Sequence, residues 1–304
     1  MASYQFLPIA YFQNQFVPFE QANLSIATHA LHYGTAALGG LRIYALPDQP
    51  GKFALFRLDR HCQRLSHSAR FLHFDLPADK IASILLETVR QNPIQTSAYL
   101  RPLVYTSDLG ISPRLHDIEK SFLVYGIELG DYLPPDGITC RISSWTRQED
   151  RAMPLRGKLS ASYITSSLAK TEAVHSGFDE AILLTSRGKV SEGSGSNLFI
   201  VRNGTLITPT VEQDNLEGIT RDSVMSLARA LGITVVEREV DKSELFIADE
   251  VFLTGTAAKI ASIKRIENYP LPSERPLTEQ LRQVFDTITA GRNPNYADWL
   301  TVVA

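Results

Sequence analysis

The sequence predicts a two-domain α/β (α+β) protein whose sheets are mixed and largely antiparallel. Three observations predict it. A chain of 304 residues that is 44% hydrophobic can bury one large core or two medium ones. Helical and strand periodicities alternate along it without strict βαβ repetition, which disfavours an open dinucleotide-binding sheet or an eight-stranded parallel barrel. The segment Gly130-Asp131-Tyr132-Leu133-Pro134-Pro135-Asp136-Gly137 places two prolines and two glycines between apolar strands, as a linker does. The expected division is a smaller N-terminal α/β domain over 1–130, an interdomain loop over 131–137 and a larger C-terminal domain over 138–304.

The elements follow from local pattern. Tyr11 to Pro18 reads as a hairpin turning near Asn14, and Leu41-Arg42-Ile43-Tyr44 as a strand. Leu58, Cys62, Leu65, Ala69 and Leu72 recur at intervals of four and three, which predicts a helix over Arg57–Leu72 with Arg60 and Arg64 beside its apolar stripe. A second helix covers Asp79–Arg90. Ala98–Thr106 alternates as a strand that sets Tyr99, Arg101 and Leu103 on one face, and Pro102 suggests an edge or a bulge. Ser121–Ile127 and Ile138–Ser144 are further strands. Beyond them come a helix over Ser160–Ser176 ended by Gly177, strands at Glu180–Thr185 and Asn197–Val201, and a helix over Thr220–Ala230 closed by Gly232. Strands at Ile233–Glu237 and Glu250–Thr254 and a helix marked by Leu277, Leu281, Val284, Phe285 and Ile288 complete the chain.

Composition narrows the function. Thirty basic residues against thirty-three acidic ones give a net charge of −3, without the basic excess that broad nucleic-acid affinity requires. No apolar run approaches the ~20 residues of a bilayer span, so no membrane partner is expected. The first residues lack the charged and apolar regions of a signal peptide, and two cysteines, Cys62 and Cys140, make neither a disulfide scaffold nor a zinc cluster. A cytoplasmic enzyme or small-molecule binder is the expectation. The three Gly-Lys pairs lack the Ser or Thr of a phosphate-binding P-loop, Gly-x-Ser-x-Gly is absent, and no acid or thiol joins His29 and His32 as a metal set.

Four segments carry chemistry in combination. Gly218-Ile219-Thr220-Arg221 starts a helix, where unpaired amides and the positive dipole end suit a phosphate, or simply form an N-cap. Thr254-Gly255-Thr256-Ala257-Ala258 follows an apolar strand with side chains small enough for close backbone approach, or is a plain strand-to-helix turn. Glu192, in Ser191-Glu192-Gly193-Ser194-Gly195-Ser196-Asn197, is either a carboxylate poised for a pyridinium proton or a solvated turn acid. Lys158, in Arg156-Gly157-Lys158-Leu159-Ser160, becomes a nucleophile if its site is buried and cationic, and is otherwise a surface charge. A lysine nucleophile, a ring-nitrogen carboxylate and two anion-binding turns are what pyridoxal phosphate needs.

In this order the segments resemble the fold-type IV pyridoxal-phosphate enzymes and, within them, the branched-chain amino acid aminotransferases. The resemblance spans nearly the whole chain. It also takes in His29-Ala30-Leu31-His32-Tyr33-Gly34-Thr35, Arg60-His61-Cys62-Gln63-Arg64-Leu65 and Tyr99-Leu100-Arg101-Pro102-Leu103. It implies transamination of L-leucine, L-isoleucine and L-valine with 2-oxoglutarate through a pyridoxal 5'-phosphate Schiff base on Lys158, the acid-base catalyst. Glu192 would pair with the pyridine nitrogen and Tyr163 with the phenolic oxygen. Arg60, the amide of Ile219, Thr220 and Thr256 would hold the phosphate. Tyr99 and the backbone of Ala257 and Ala258 would take the substrate α-carboxylate. Arg101, Tyr33 and Tyr132 would meet the side-chain carboxylate of glutamate, with Tyr33 reaching in from a second subunit of a homodimer or higher homo-oligomer. The partner-subunit loop matches Leu109-Gly110-Ile111.

One departure stands out. Leu38-Gly39-Gly40 occupies the place of the family's usual Phe-Glu-Gly, removing an aromatic wall and an acid near Arg42 and Arg101. This keeps a D-amino acid aminotransferase, an amine transaminase or an aminodeoxychorismate lyase in view, although Tyr99-x-Arg101 with Gly255–Ala258 favours the branched-chain reading. The alternative of another class is a non-catalytic module that binds a phosphate ligand.

Overall fold

The computed structural model describes residues 4–130, 134 and 136–303. In chain order the elements are β1 (Ile9–Phe12), β2 (Gln15–Pro18), α1 (His29–Tyr33), β3 (Ala36–Leu38), β4 (Leu41–Ala45), β5 (Phe53–Phe56), α2 (Leu58–Arg70), α3 (Ala78–Arg90), β6 (Ala98–Thr106) and β7 (Lys120–Glu128). There follow β8 (Ile138–Thr146), α4 (Tyr163–His175), β9 (Glu180–Leu184), β10 (Val190–Gly193), β11 (Asn197–Arg202), β12 (Thr205–Thr208), α5 (Ile219–Ala230) and β13 (Val235–Glu237). The last are β14 (Glu250–Gly255), β15 (Lys259–Ile266), β16 (Tyr269–Pro270), α6 (Pro276–Thr289) and β17 (Leu300–Val303). The chain divides into two compact units, Met1–Asp131 with Gly157–Ala161 and Thr287–Ala304, and Tyr132–Arg156 with Ser162–Asp286.

The first unit is built on an eight-stranded sheet in the order β17-β5-β4-β6-β7-β1-β2, with β3 also on β6. Its pairings are antiparallel. The expected hairpin turns at Gln13 and Asn14, both at positive φ (50° and 62°), the conformation that suits a two-residue hairpin loop. The stripe on α2 buries Leu58, Cys62, Leu65 and Ala69, and α3 buries Ile81, Ile84, Leu85 and Val89. The two helices pack on each other, and α3 also meets β1, β7 and β17. Burial pushes the Cys62 thiol up to about 12, so it stays protonated.

Pro102 corrects the edge-strand expectation. β6 is interior and pairs along its whole length with β7, Pro102 facing Val124. On its other side β4 pairs with Ala98–Leu100 and β3 with Leu103–Tyr105. The proline falls in the gap between these partners, where a missing N–H costs no ladder bond.

The second unit carries a nine-stranded mixed sheet, β10-β9-β8-β15-β14-β11-β12-β13, with β16 on β15. β8 is parallel to both β9 and β15, and β12 to β13; the other pairings are antiparallel. Ile138, Ile182, Leu198, Val251 and Ile263 lie in its fully buried core. α4 closes on β9 through small residues, Ala169 and Ala173 against Ala181 and Leu183. The turn after β14 joins it to β15, not to a helix, with Gly255 opposite Lys259.

An ion-pair cluster braces the short connection before β14. Glu244 accepts from Arg238 at 2.6 Å and from Arg202 at 3.1 Å. The Arg238 hydrogen bond is the first cause that holds the Glu244 carboxyl down to about 2. A depressed carboxyl contributes stability above its unfolded value and loses it as pH falls through the folded one. We expect up to about 3 kcal/mol to disappear between pH 4.5 and 2, and a Glu244→Gln variant to show a correspondingly shallower acid limb in urea midpoints measured against pH.

Candidate functional site

In the first unit, Lys158 is set by its backbone. Its N–H donates to Ser68 Oγ at 3.1 Å on α2, and its carbonyl accepts from Leu38 N–H at 2.9 Å on β3. Leu159 continues the pairing through a bridge to Ala37. The side chain is half-buried, and Lys158, Arg64 of α2 and Arg57 at that helix's N-cap all act in charge on His61. His61, 4% exposed, is pushed well below its ordinary value by burial first and then by Arg64, Lys158 and Arg57. It therefore adds no charge to an already cationic corner. Arg60 is exposed on the same helix, off the apolar stripe as expected.

Tyr99 and Arg101 share a face of β6, both half-buried. The Arg101 guanidinium donates to the Tyr99 hydroxyl at 3.4 Å and lies 5.4 Å from its ring centre. Gly40 makes room for this pair: a Cβ there would stand 1.8 Å from the Tyr99 hydroxyl oxygen. Gly39 is as constrained, since a Cβ would meet Pro102 Cγ at 2.7 Å. Arg42, 3% exposed, donates to the carbonyl of Gly130 at 2.7 Å. Tyr33 closes α1 and donates through its hydroxyl to the carbonyl of Ile111. His29 is bonded through both ring nitrogens, Nε2 to the Ser112 carbonyl and Nδ1 to Thr106 and Thr35. This clamp holds a loop whose Leu109 and Ile111 are 62% and 86% exposed. Tyr132 lies outside the described residues.

In the second unit, Glu192 ends up in β10, just past a bulge between Val190 and Glu192. It is 6% exposed, which removes the solvated-turn alternative. Arg147, equally buried, pairs with Oε1 at 3.0 Å; the amide N–H of Leu216 and Nδ2 of Asn197 each donate to Oε2 at 3.2 Å. Arg147 in turn donates to the Asp214 carbonyl. Arg147 went unread in the sequence, because nothing in Trp145-Thr146-Arg147 signals a buried partner 45 residues away.

Gly218 is the N-cap of α5 and supplies no side-chain cap to the helix. Ile219 and Thr220 are buried at its start. Thr256, Ala257 and Ala258 form the half-buried turn between β14 and β15. Tyr163 is the half-buried first residue of α4. Two hydroxyls next to these segments, Ser191 Oγ and Thr254 Oγ1, are buried without a hydrogen-bond partner. Helix-start amides, orphaned buried hydroxyls and a buried carboxylate form a donor and acceptor set that fits pyridoxal phosphate. Among the described residues no three His, Cys, Asp or Glu side chains gather as a metal site.

Both units have the architecture of fold-type IV pyridoxal-phosphate enzymes. The family model for class IV amino-transferases matches residues 41–266. The chain belongs to this family. It is 63% identical over 297 residues, 98% of this chain and 97% of the relative, to a probable branched-chain-amino-acid aminotransferase of Synechocystis. A branched-chain aminotransferase of Thermoproteus uzoniensis with norvaline superposes with a TM-score of 0.94 at 36% identity, covering 98% of this chain and all of the other. The PLP-form (holo-form) of the Thermobaculum terrenum branched-chain amino acid aminotransferase gives 0.93 at 34% identity and 99% coverage of each chain.

Proposed function

We propose that this chain transfers an amino group reversibly between L-leucine, L-isoleucine or L-valine and 2-oxoglutarate, giving branched 2-oxo acids and L-glutamate, with pyridoxal 5'-phosphate as cofactor. The observation that carries the reading is the 63% identity over almost the full length to a protein named for that activity. When bound, the cofactor supplies an electron sink that lets a proton leave the substrate α-carbon.

The residues divide the remaining work. Lys158 would hold the cofactor covalently through Nζ and, as the acid-base catalyst, would move the proton at the substrate α-carbon. Glu192 keeps the ring nitrogen protonated, with Arg147 balancing its charge inside the protein. Tyr163 donates to the phenolic oxygen. Arg60, the Ile219 amide, Thr220 and Thr256 hold the phosphate. Tyr99 and the backbone of Ala257 and Ala258 take the α-carboxylate. An aliphatic side chain packs on tyrosine rings, and a glutamate carboxylate reaches Arg101 and Tyr33 at their polar edge, so one pocket serves both half-reactions.

The chain acts as a homodimer or higher homo-oligomer, and the exposed apolar residues Leu109 and Ile111, held on the His29 and Tyr33 clamp, support that reading. Two buried free cysteines support a reducing cytoplasm, and among the described residues no helix is long and apolar enough to cross a membrane.

The deciding experiment is an amino-donor panel of L-leucine, L-valine, D-alanine and an aromatic amine, with 2-oxoglutarate and pyruvate as acceptors. L-leucine with 2-oxoglutarate should be preferred; activity with D-alanine but not L-leucine overturns the reading. Gly40→Ala tests the carboxylate site. The added methyl must displace the Tyr99 hydroxyl, so kcat/KM for L-leucine should fall by about 10²-fold. Wild-type kinetics in that variant would remove Tyr99 from substrate binding.

A further inference from the structure

Asn197 occupies a junction that its neighbours define. It is 5% exposed and opens β11. Its Nδ2 donates to Glu192 Oε2 at 3.2 Å and to the Leu216 carbonyl at 2.8 Å, while the Leu216 N–H donates to the same carboxylate oxygen at 3.2 Å. One side-chain amide, the backbone N–H and C=O of one residue and one carboxylate oxygen thus close a ring. The other end of the amide faces α5. A Cβ on Gly218 would stand 1.9 Å from Asn197 Oδ1 and 3.1 Å from its Cγ. Gly218 has φ −72° and ψ 134°, extended backbone open to any residue. Only Asn197 denies position 218 a side chain; the next atom, Arg221 Cβ, is at an ordinary 3.4 Å. Across the sheet Asn197 pairs in register with Thr254, which leads into Gly255-Thr256-Ala257-Ala258.

We propose that Asn197 is a positioning residue that fixes the spacing between the carboxylate for the ring nitrogen and the helix amides for the phosphate, so that a ligand bearing both groups is gripped at both ends at once. This rests on the assignment of pyridoxal phosphate above. Asn197 holds the Glu192 carboxylate from one side and sets how closely the start of α5 approaches from the other. Gly218 is the complementary half, a bare backbone position against which the amide seats. A ligand with only the ring uses one end of the gauge, and a ligand with ring and phosphate uses both.

The test measures dissociation constants of the full-length apoprotein for pyridoxal and for pyridoxal 5'-phosphate, by the visible band that forms on binding. In the wild type the phosphate ester should bind at least about 100-fold more tightly. Asn197→Ala should shrink that ratio by about tenfold, whereas a residue that only stabilises the fold would lower Tm and leave the ratio unchanged. Gly218→Ala reads the same junction without touching β11. It should shrink the ratio by about tenfold when Asn197 is present and by less than about threefold in the Asn197→Ala background, where the obstructing amide is gone. A ratio in Asn197→Ala within about threefold of wild type, or an equal effect of Gly218→Ala in both backgrounds, overturns the proposal. A wild-type protein that forms no band with either compound overturns the cofactor assignment instead.

Discussion

Replacing Lys158 by alanine should cut turnover of L-leucine by about 10⁴-fold and abolish the visible band of the lysine-bound cofactor. The variant should fold. The backbone of residue 158, not its side chain, makes the bonds to Ser68 and Leu38 that hold the segment against α2 and β3. Far-UV circular dichroism and Tm close to wild type would confirm this, so lost turnover reports chemistry alone. Turnover within tenfold of wild type would rule Lys158 out as the catalyst. His61 cannot substitute for it as a covalent carrier, and its fully buried neutral imidazole leaves Lys158 as the amine of this corner.

Glu192→Ala should have two separable consequences. Turnover should fall by about 10²–10³-fold, because the protonated ring nitrogen loses its buried counter-charge, while cofactor still binds through the lysine and the phosphate contacts. Stability should fall by about 3–5 kcal/mol, because Arg147 is left as an uncompensated charge at 6% exposure. Adding Arg147→Met removes that charge and should recover most of the stability but none of the turnover. Urea denaturation and steady-state kinetics on the two variants separate the effects. Wild-type turnover in Glu192→Ala would remove its assigned role, and full stability there would show that the pair with Arg147 contributes nothing.

Much of the fold was legible because periodicity reports burial. The stripe on α2, the alternation on β6 and the hairpin at Gln13-Asn14 all depend on neighbours within a few residues. Elements with little pattern of their own were not legible. β3 is three buried residues, β5 is four residues, and β17 acquires its role only by pairing with β5 across nearly the whole chain. Pro102 was misread for the same reason: its edge-like chemistry is satisfied inside the sheet by a gap between two partner strands.

At the site, the residue types that carry chemistry stood out in sequence, and their supports did not. Lys158, Glu192 and the glycine-led start of α5 are recognisable from composition and order. That Glu192 sits in a strand rather than on a solvated turn follows from a bulge, and a bulge is set by pairing. Arg147 and Asn197, which satisfy its two oxygens, lie 45 residues before it and five after it, and no local rule marks either one.

By itself, then, the sequence determined the alternation of helices and strands, the two-domain class and the candidate groups proposed to meet an anionic, ring-bearing cofactor, because hydrophobic period, turn residues and side-chain chemistry are local properties. Only the tertiary structure decided which of those groups are buried, what balances their charge, and why Gly40 and Gly218 must lack a side chain. Those questions turn on atoms brought within a few ångströms by strand pairing: the Tyr99 hydroxyl over Gly40, the Asn197 amide against Gly218 and the Arg147 guanidinium on Glu192.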